Sequence, residues 1–171
     1  HRLSRHGAVA PLPPYPQPSA DWARHVMGLA SMPVWIPWPL PYAWVVSALF
    51  VVGDQVTGIR GTATALSGPN PLGGAGDLLL VAEEPGVGLG ARYAGLLGPD
   101  PGDRLTRVPD TKLPVGGRLA PLWCVPDVKE RSAYVGESEG LWLWAVFCPE
   151  NASALLLEDL QDPGNVGTVL R

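Results

Sequence analysis

The chain has 171 residues, of which 21 are glycine and 20 proline, with 46% hydrophobic and 16% charged residues and a formal net charge of -4. With its weak negative charge, the chain lacks the row of basic side chains that contacts a phosphate backbone. We therefore expect no nucleic-acid binding. The length suits one domain, and seven tryptophans with the high apolar fraction indicate a folded core despite the glycine and proline content.

The first twenty residues are predicted to form a proline-rich arm outside the core. Five prolines between positions 11 and 18 favour an extended, polyproline-like conformation. Residues 21–171 are then one α+β domain, mostly antiparallel sheet with one or two short helices. A first short helix is predicted over residues 19–31, where apolar residues recur at helical spacing.

Tryptophan and proline alternate over residues 33–41, which read PVWIPWPLP. These residues form either a strap packed on the core or an aromatic groove that binds a partner. The candidate partner-binding residues are Trp35, Pro37, Trp38 and Pro39. Because residues 33–53 carry no charge, association with a membrane surface is a minor alternative, but the prolines rule out one spanning helix.

A three-stranded meander is predicted beyond this segment. Its strands are residues 44–52, 57–66 and 77–84, and the turn-rich residues 67–76 form a loop between the second and third. Shorter strands interrupted by proline are expected over 111–125 and 132–136.

Residues 141–148 are apolar on both faces and predict a central strand covered on each side. Residues 149–152 are predicted to turn the chain into an antiparallel partner strand over 153–160.

A glycine-rich loop follows the third strand. Residues 86–91 read GVGLGA, which matches the G-x-G-x-x-A spacing that brings a pyrophosphate to the start of a helix, here predicted over 86–97. The alternative is a plain turn from strand to helix. The candidate anion- or ligand-binding residues are Gly86, Gly88, Gly90, Arg92 and Tyr93.

Two adjacent glutamates, Glu83 and Glu84, precede this loop. Neighbouring residues on a strand point to opposite faces, so the two carboxylates cannot share a proton. We predict that one is solvated and that the other pairs with an arginine, for which Arg92 is the candidate.

We assign no catalytic residue, metal ligand or cofactor. All three histidines lie within the first 25 residues, so a hydrolytic triad or a multi-histidine metal site would need the arm to fold back. Cys124 and Cys148 are too few for a disulfide framework, and no signal peptide is visible, so we expect a cytoplasmic protein with both thiols reduced and mostly buried.

Three segments together resemble a known family. They are residues 33–41, residues 67–95, which read SGPNPLGGAGDLLLVAEEPGVGLGARYAG, and residues 140–146, which read GLWLWAV. On these segments the chain resembles an actinobacterial family of uncharacterised proteins, some of which carry a phosphotransacetylase label. The resemblance extends over nearly the whole chain.

Members of that family usually begin with a zinc ribbon whose second half reads C-x-x-H-G-x-V-x-P. Here Leu3 stands at the cysteine position while residues 6–11 match the remainder. The resemblance therefore implies that the arm, residues 1–20, is a degenerate zinc-ribbon remnant that binds no zinc. The phosphotransacetylase activity is disfavoured, because this short, acidic, lysine-poor chain is poorly suited to an anionic cofactor.

The sequence favours a non-enzymatic protein-interaction or regulatory domain that binds a protein partner through the Trp/Pro segment or the arm. The alternative is an enzyme that binds a nucleotide, phosphate or other small molecule through residues 86–93.

Overall fold

The computed structural model describes residues 32–37, 40–54, 56, 58–126, 128–156 and 167–170. The proline-rich arm, the helix expected over 19–31, Trp38 and Pro39 lie outside this part of the chain. The same holds for residues 157–160 of the predicted last strand.

The described residues form nine strands and three short helices. The strands are β1 (Val34–Pro37), β2 (Val45–Asp54), β3 (Gly58–Pro69), β4 (Ala75–Glu83), β5 (Thr111–Val115), β6 (Arg118–Val125), β7 (Ser132–Ser138), β8 (Leu141–Cys148) and β9 (Gly167–Leu170). The helices are α1 (Leu89–Tyr93) and two 3₁₀-helices, Gly102–Thr106 and Glu150–Leu156.

The strands hydrogen-bond in the order β1-β9-β5-β6-β7-β8-β4-β3-β2. Every described pairing is antiparallel except that of β5 with β9. The prediction of a mostly antiparallel sheet with few short helices is therefore confirmed, as is the β2-β3-β4 meander.

The loop predicted over residues 67–76 is shorter than expected. The β3–β4 ladder continues to the pair Pro69 and Ala75, and the tight turn between them is closed by Asn70 and Gly74, whose N–H and C=O lie 2.9 Å apart. Gly68 belongs to the strand, where a Cβ would come within 2.4 Å of the Trp44 ring. Close packing, not a turn, requires that glycine.

Strand β8 has the predicted bounds and lies between β4 and β7, with its residues from Leu143 to Phe147 buried. The predicted partner strand is wrong over its described residues 153–156, because these belong to a 3₁₀-helix. Both edges of β8 are already paired, and this helix instead buries Ala152, Leu155 and Leu156 against the sheet.

The sheet is curled, so that its two ends approach each other. Val34 of β1 packs with Leu49 and Val51 of β2, and Thr62 Oγ1 of β3 donates to the carbonyl oxygen of Pro33 at 2.6 Å. The larger core fills the concave side. Its buried side chains include Trp35, Leu66, Leu78, Leu113, Leu122, Leu143 and Phe147.

Helix α1 and the loop before it cover the opposite face of β4 and β8. Val87, Leu89 and Ala91 pack there on Val81 and Trp144, and all five are buried. The helix predicted over 86–97 is thus present but shorter. The two faces of β8 are both covered, as its uniformly apolar sequence predicted.

Candidate functional site

The predicted partner-binding segment packs into the core where it is described. Trp35 is 5% exposed and belongs to the larger core, and Pro37 is also buried. Strand β1 therefore does not present the indole of Trp35 to solvent as a flat docking surface.

A cavity of about 610 Å³ nevertheless opens beside Trp35. It lies between the turn that joins β5 to β6 and the turn that joins β7 to β8. We call it the Trp35 cavity. It is lined by Trp35, Val115, Gly116, Arg118, Leu119, Ala120, Pro121, Glu137, Ser138 and Glu139.

The Trp35 cavity combines an apolar wall with charges of both signs. Leu119 is 63% exposed and supplies an accessible aliphatic side chain beside the buried indole of Trp35. Arg118 is exposed on the β5–β6 side, and Glu137 and Glu139 are exposed on the β7–β8 side. The cavity can therefore contact both an apolar group and charged groups next to it.

One polar atom beside this cavity lacks a protein partner. The indole Nε1–H of Trp35 is buried and has no hydrogen-bond acceptor among the described residues. A buried donor without an acceptor costs about 1–3 kcal/mol, because it has lost its water. Because Nε1 itself is not exposed, a ligand carbonyl would recover this energy only if the indole moved.

In the glycine-rich loop, backbone N–H groups that could bind an anion already donate hydrogen bonds to a carboxylate of the same chain. Glu83 is buried at the end of β4, and its Oε2 accepts the N–H of Leu89 at 2.8 Å and the N–H of Gly90 at 3.2 Å. The start of α1 is thus bound to a carboxylate from the preceding strand.

A second carboxylate holds the other end of the loop. Asp100 Oδ1 accepts the N–H of Gly86 at 3.0 Å and the indole Nε1–H of Trp142 at 2.8 Å. Glu83 and Asp100 together bind three amides of residues 86–90.

Burial raises the pKa of Glu83 to about 7, since the charged carboxylate has lost its water. The N–H groups of Gly90 and Leu89 oppose this shift because they stabilise the ionised form, and the negative charge of Asp100 adds to it. The indole Nε1 of Trp144 is near enough to lower the pKa, although it does not reach hydrogen-bond geometry.

Glu83 and Glu84 lie on opposite faces of the sheet, as predicted. Glu84 is exposed and pairs with Arg60 at 3.1 Å. The prediction that the other glutamate is solvated is wrong, because the backbone amides allow Glu83 to be buried. The pairing of Arg92 with either glutamate stays a prediction.

Both cysteines are free thiols, but Cys148 is exposed and Cys124 half-buried. The prediction that both are buried is wrong for Cys148, which is the last residue of β8 and lies beyond the covered part of that strand. In the described ranges, no group of three or more histidine, cysteine, aspartate or glutamate side chains could hold a metal ion. No helix in the same ranges is long and apolar enough to cross a membrane.

Sequence reasoning found Trp35 but missed the other residues of the Trp35 cavity. The residues Arg118, Leu119, Glu137 and Glu139 lie about 80 to 105 positions after Trp35 and meet it because β9 joins β1 to β5 and β6 in the strand order. In the sequence, these four residues resemble ordinary turn residues next to glycine.

The chain belongs to a family of unknown function, DUF6758, whose model matches residues 1–167. This agrees with the predicted resemblance to uncharacterised proteins. No curated protein and no solved structure matches the chain. Any functional assignment must therefore come from the geometry.

Proposed function

We propose that this protein is a non-enzymatic interaction domain that binds a short, extended segment of a partner protein in the Trp35 cavity. The observation that carries this proposal is the 610 Å³ cavity beside Trp35, in which the exposed side chain of Leu119 lies next to charged residues of both signs. A peptide presents apolar and charged side chains along one backbone, and its carbonyl groups would supply an acceptor for the Trp35 indole if the ring moved on binding.

The lining of the cavity indicates what such a segment contains. Leu119 and Trp35 suit an apolar side chain, and buried apolar anchors supply most of the energy of binding at protein interfaces. Arg118 on one side and the glutamates at 137 and 139 on the other would select flanking residues of opposite charge, mainly through orientation and association rate.

The glycine-loop alternative has weaker support. A phosphate at this loop would have to displace the Glu83 carboxylate from the N–H groups of Leu89 and Gly90. The Glu83 carboxyl group is covalently part of the site, whereas a phosphate loses translational and rotational entropy when it binds. We therefore favour a structural role for residues 86–93.

A cytoplasmic location is part of the proposal. It is supported by the two free thiols, since paired cysteines are typical of oxidising compartments.

Selection from a random peptide display library tests the proposal. We expect enriched peptides to bind the wild type and to bind Leu119→Asp at least about tenfold more weakly, because a charge at the centre of an apolar contact is costly. Val108→Asp is the matched control, since Val108 is 84% exposed and lies outside the cavity. Failure to enrich any peptide, or equal loss of binding in both variants, would contradict the proposal.

A further inference from the structure

A second cavity, of about 450 Å³, lies on a different part of the molecule and shares no residue with the Trp35 cavity. It is formed where β5, β6 and β7 meet the 3₁₀-helix Glu150–Leu156 and the β3–β4 turn. We call it the Tyr134 cavity. It is lined by Leu72, Asp110, Thr111, Cys124, Tyr134, Asn151, Ser153, Ala154 and Leu156.

We propose that the Tyr134 cavity binds a small ligand that presents hydroxyl or amino donors and carries no negative charge. The volume is in the range of small-molecule sites, and hydroxyl, amide, thiol and carboxylate groups converge on it from four separate elements. This proposal is independent of the peptide-binding function.

The acceptor of the cavity is Asp110, and its side chain is held in place from two directions. Its Oδ2 accepts the backbone N–H of Cys124 at 2.7 Å and an Nη2–H of Arg107 at 3.3 Å. Arg107 is itself anchored, because Nη2 also donates to the carbonyl oxygen of Cys124 at 2.8 Å. The carboxylate is therefore positioned before any ligand arrives.

Tyr134 is fixed in a similar way. Its ring packs edge-on against Phe147, with centroids 6.2 Å apart at an interplanar angle of 86°. Ser153 and the Cys124 thiol lie near enough to its hydroxyl to affect its pKa. Burial raises the pKa of both Tyr134 and Cys124, so the phenol and thiol are neutral at physiological pH and act as hydrogen-bonding groups, not nucleophiles.

Asn151 adds an amide whose position is also set by the protein. Its Oδ1 accepts a hydrogen bond from Nδ2 of the buried Asn70 at 2.7 Å. The cavity thus has oriented polar groups along a partly apolar floor made by Leu72, Ala154 and Leu156.

Charge determines which ligands fit. Among the described residues that line the cavity, Asp110 alone is formally charged, and its partner Arg107 is not part of the lining. A ligand anion would meet a carboxylate without a facing cation, whereas a hydroxyl or ammonium group can donate to that carboxylate.

The test uses ligand-observed NMR on the purified full chain with four probes. Inositol and ethanolamine present hydroxyl or amino donors, while inositol monophosphate and lactate are anions of comparable size. We expect saturation transfer to at least one of the first pair and none to the anions. Binding of the anions as strong as that of inositol or ethanolamine, or binding of none of the four, would overturn the proposal.

Two tyrosine variants locate the binding. Tyr134→Phe keeps the ring against Phe147 and removes only the hydroxyl, so we expect the bound probe to bind about tenfold more weakly. Tyr93→Phe removes the hydroxyl of a half-buried tyrosine outside the cavity and should leave the affinity unchanged. Equal affinity for the wild type and Tyr134→Phe would overturn the assignment to this cavity.

Discussion

Gly90 of α1 lies directly against the indole of Trp144 in β8. A Cβ added at Gly90 would come within 2.1 Å of Trp144 Cδ1, a distance that no real Cβ contact has. The glycine is therefore required by the close approach of the helix to the central strand. This contact, and the Glu83 carboxylate bound to the same helix, give the GVGLGA loop a structural explanation.

Replacing Gly90 with alanine should destabilise the protein. The methyl group would push α1 away from the rigid Trp144 ring, and overpacking of this kind costs about 2 kcal/mol. The measurement is the free energy of unfolding from chemical denaturation. Gly98→Ala is the matched control, because a Cβ there meets nothing within 4 Å. Equal stability of the two variants would show that α1 does not pack as described.

The part of the folding stability that Glu83 contributes should fall as the pH rises from about 4.5 to about 7. Its pKa is raised from the usual 4.5 to about 7, so the folded protein binds this proton more tightly than the unfolded chain. The stabilisation from this bound proton is present in full below pH 4.5. About 3 kcal/mol of it is lost once the pH reaches 7.

The variant Glu83→Gln should lose this part of the pH dependence, as measured by denaturation at a series of pH values. Glu84→Gln is the control, since that side chain is exposed and should keep the wild-type profile. A Glu83→Gln variant whose stability follows the wild-type profile over this pH range would contradict a raised pKa at Glu83.

Thr62 and Thr64 provide a matched pair in β3. Both are buried, but Thr62 Oγ1 donates to the carbonyl oxygen of Pro33, while Thr64 Oγ1 has no hydrogen-bond partner among the described residues. Thr62→Val should cost about 1–2 kcal/mol, because the Pro33 carbonyl loses its donor, whereas Thr64→Val should be neutral or stabilising. Urea unfolding measures both, and the reverse order would argue against the packing of β1 on β3.

Local sequence patterns predicted the strands well, because the pattern that marks a strand lies within the strand's own contiguous residues. The uniformly apolar run at 141–148 identified the central strand, and the strands predicted at 44–52 and 57–66 identified the β2–β3 hairpin, although β2 continues to Asp54. The 3₁₀-helix Glu150–Leu156 was missed, because its short apolar run has no feature that separates helix from strand, and only the paired edges of β8 decide between them.

The candidate sites depend on contacts between distant positions, which the sequence does not display. The GVGLGA pattern indicated an anion site, but it could not show that the anion is the carboxylate of Glu83. Likewise, PVWIPWPLP drew attention to Trp35 but not to residues 116–119 and 137–139, at the β5–β6 and β7–β8 connections, which line a cavity beside it.

The most direct test of the proposed function follows the indole N–H resonance of Trp35 by nitrogen-15 NMR while a selected peptide is added. Trp35→Phe assigns the resonance, because it removes that signal alone. We expect the resonance to shift as the peptide saturates the protein, because the Trp35 ring lines the cavity. A peptide that binds tightly while the Trp35 resonance stays unchanged would contradict the central claim that the Trp35 cavity is the binding site.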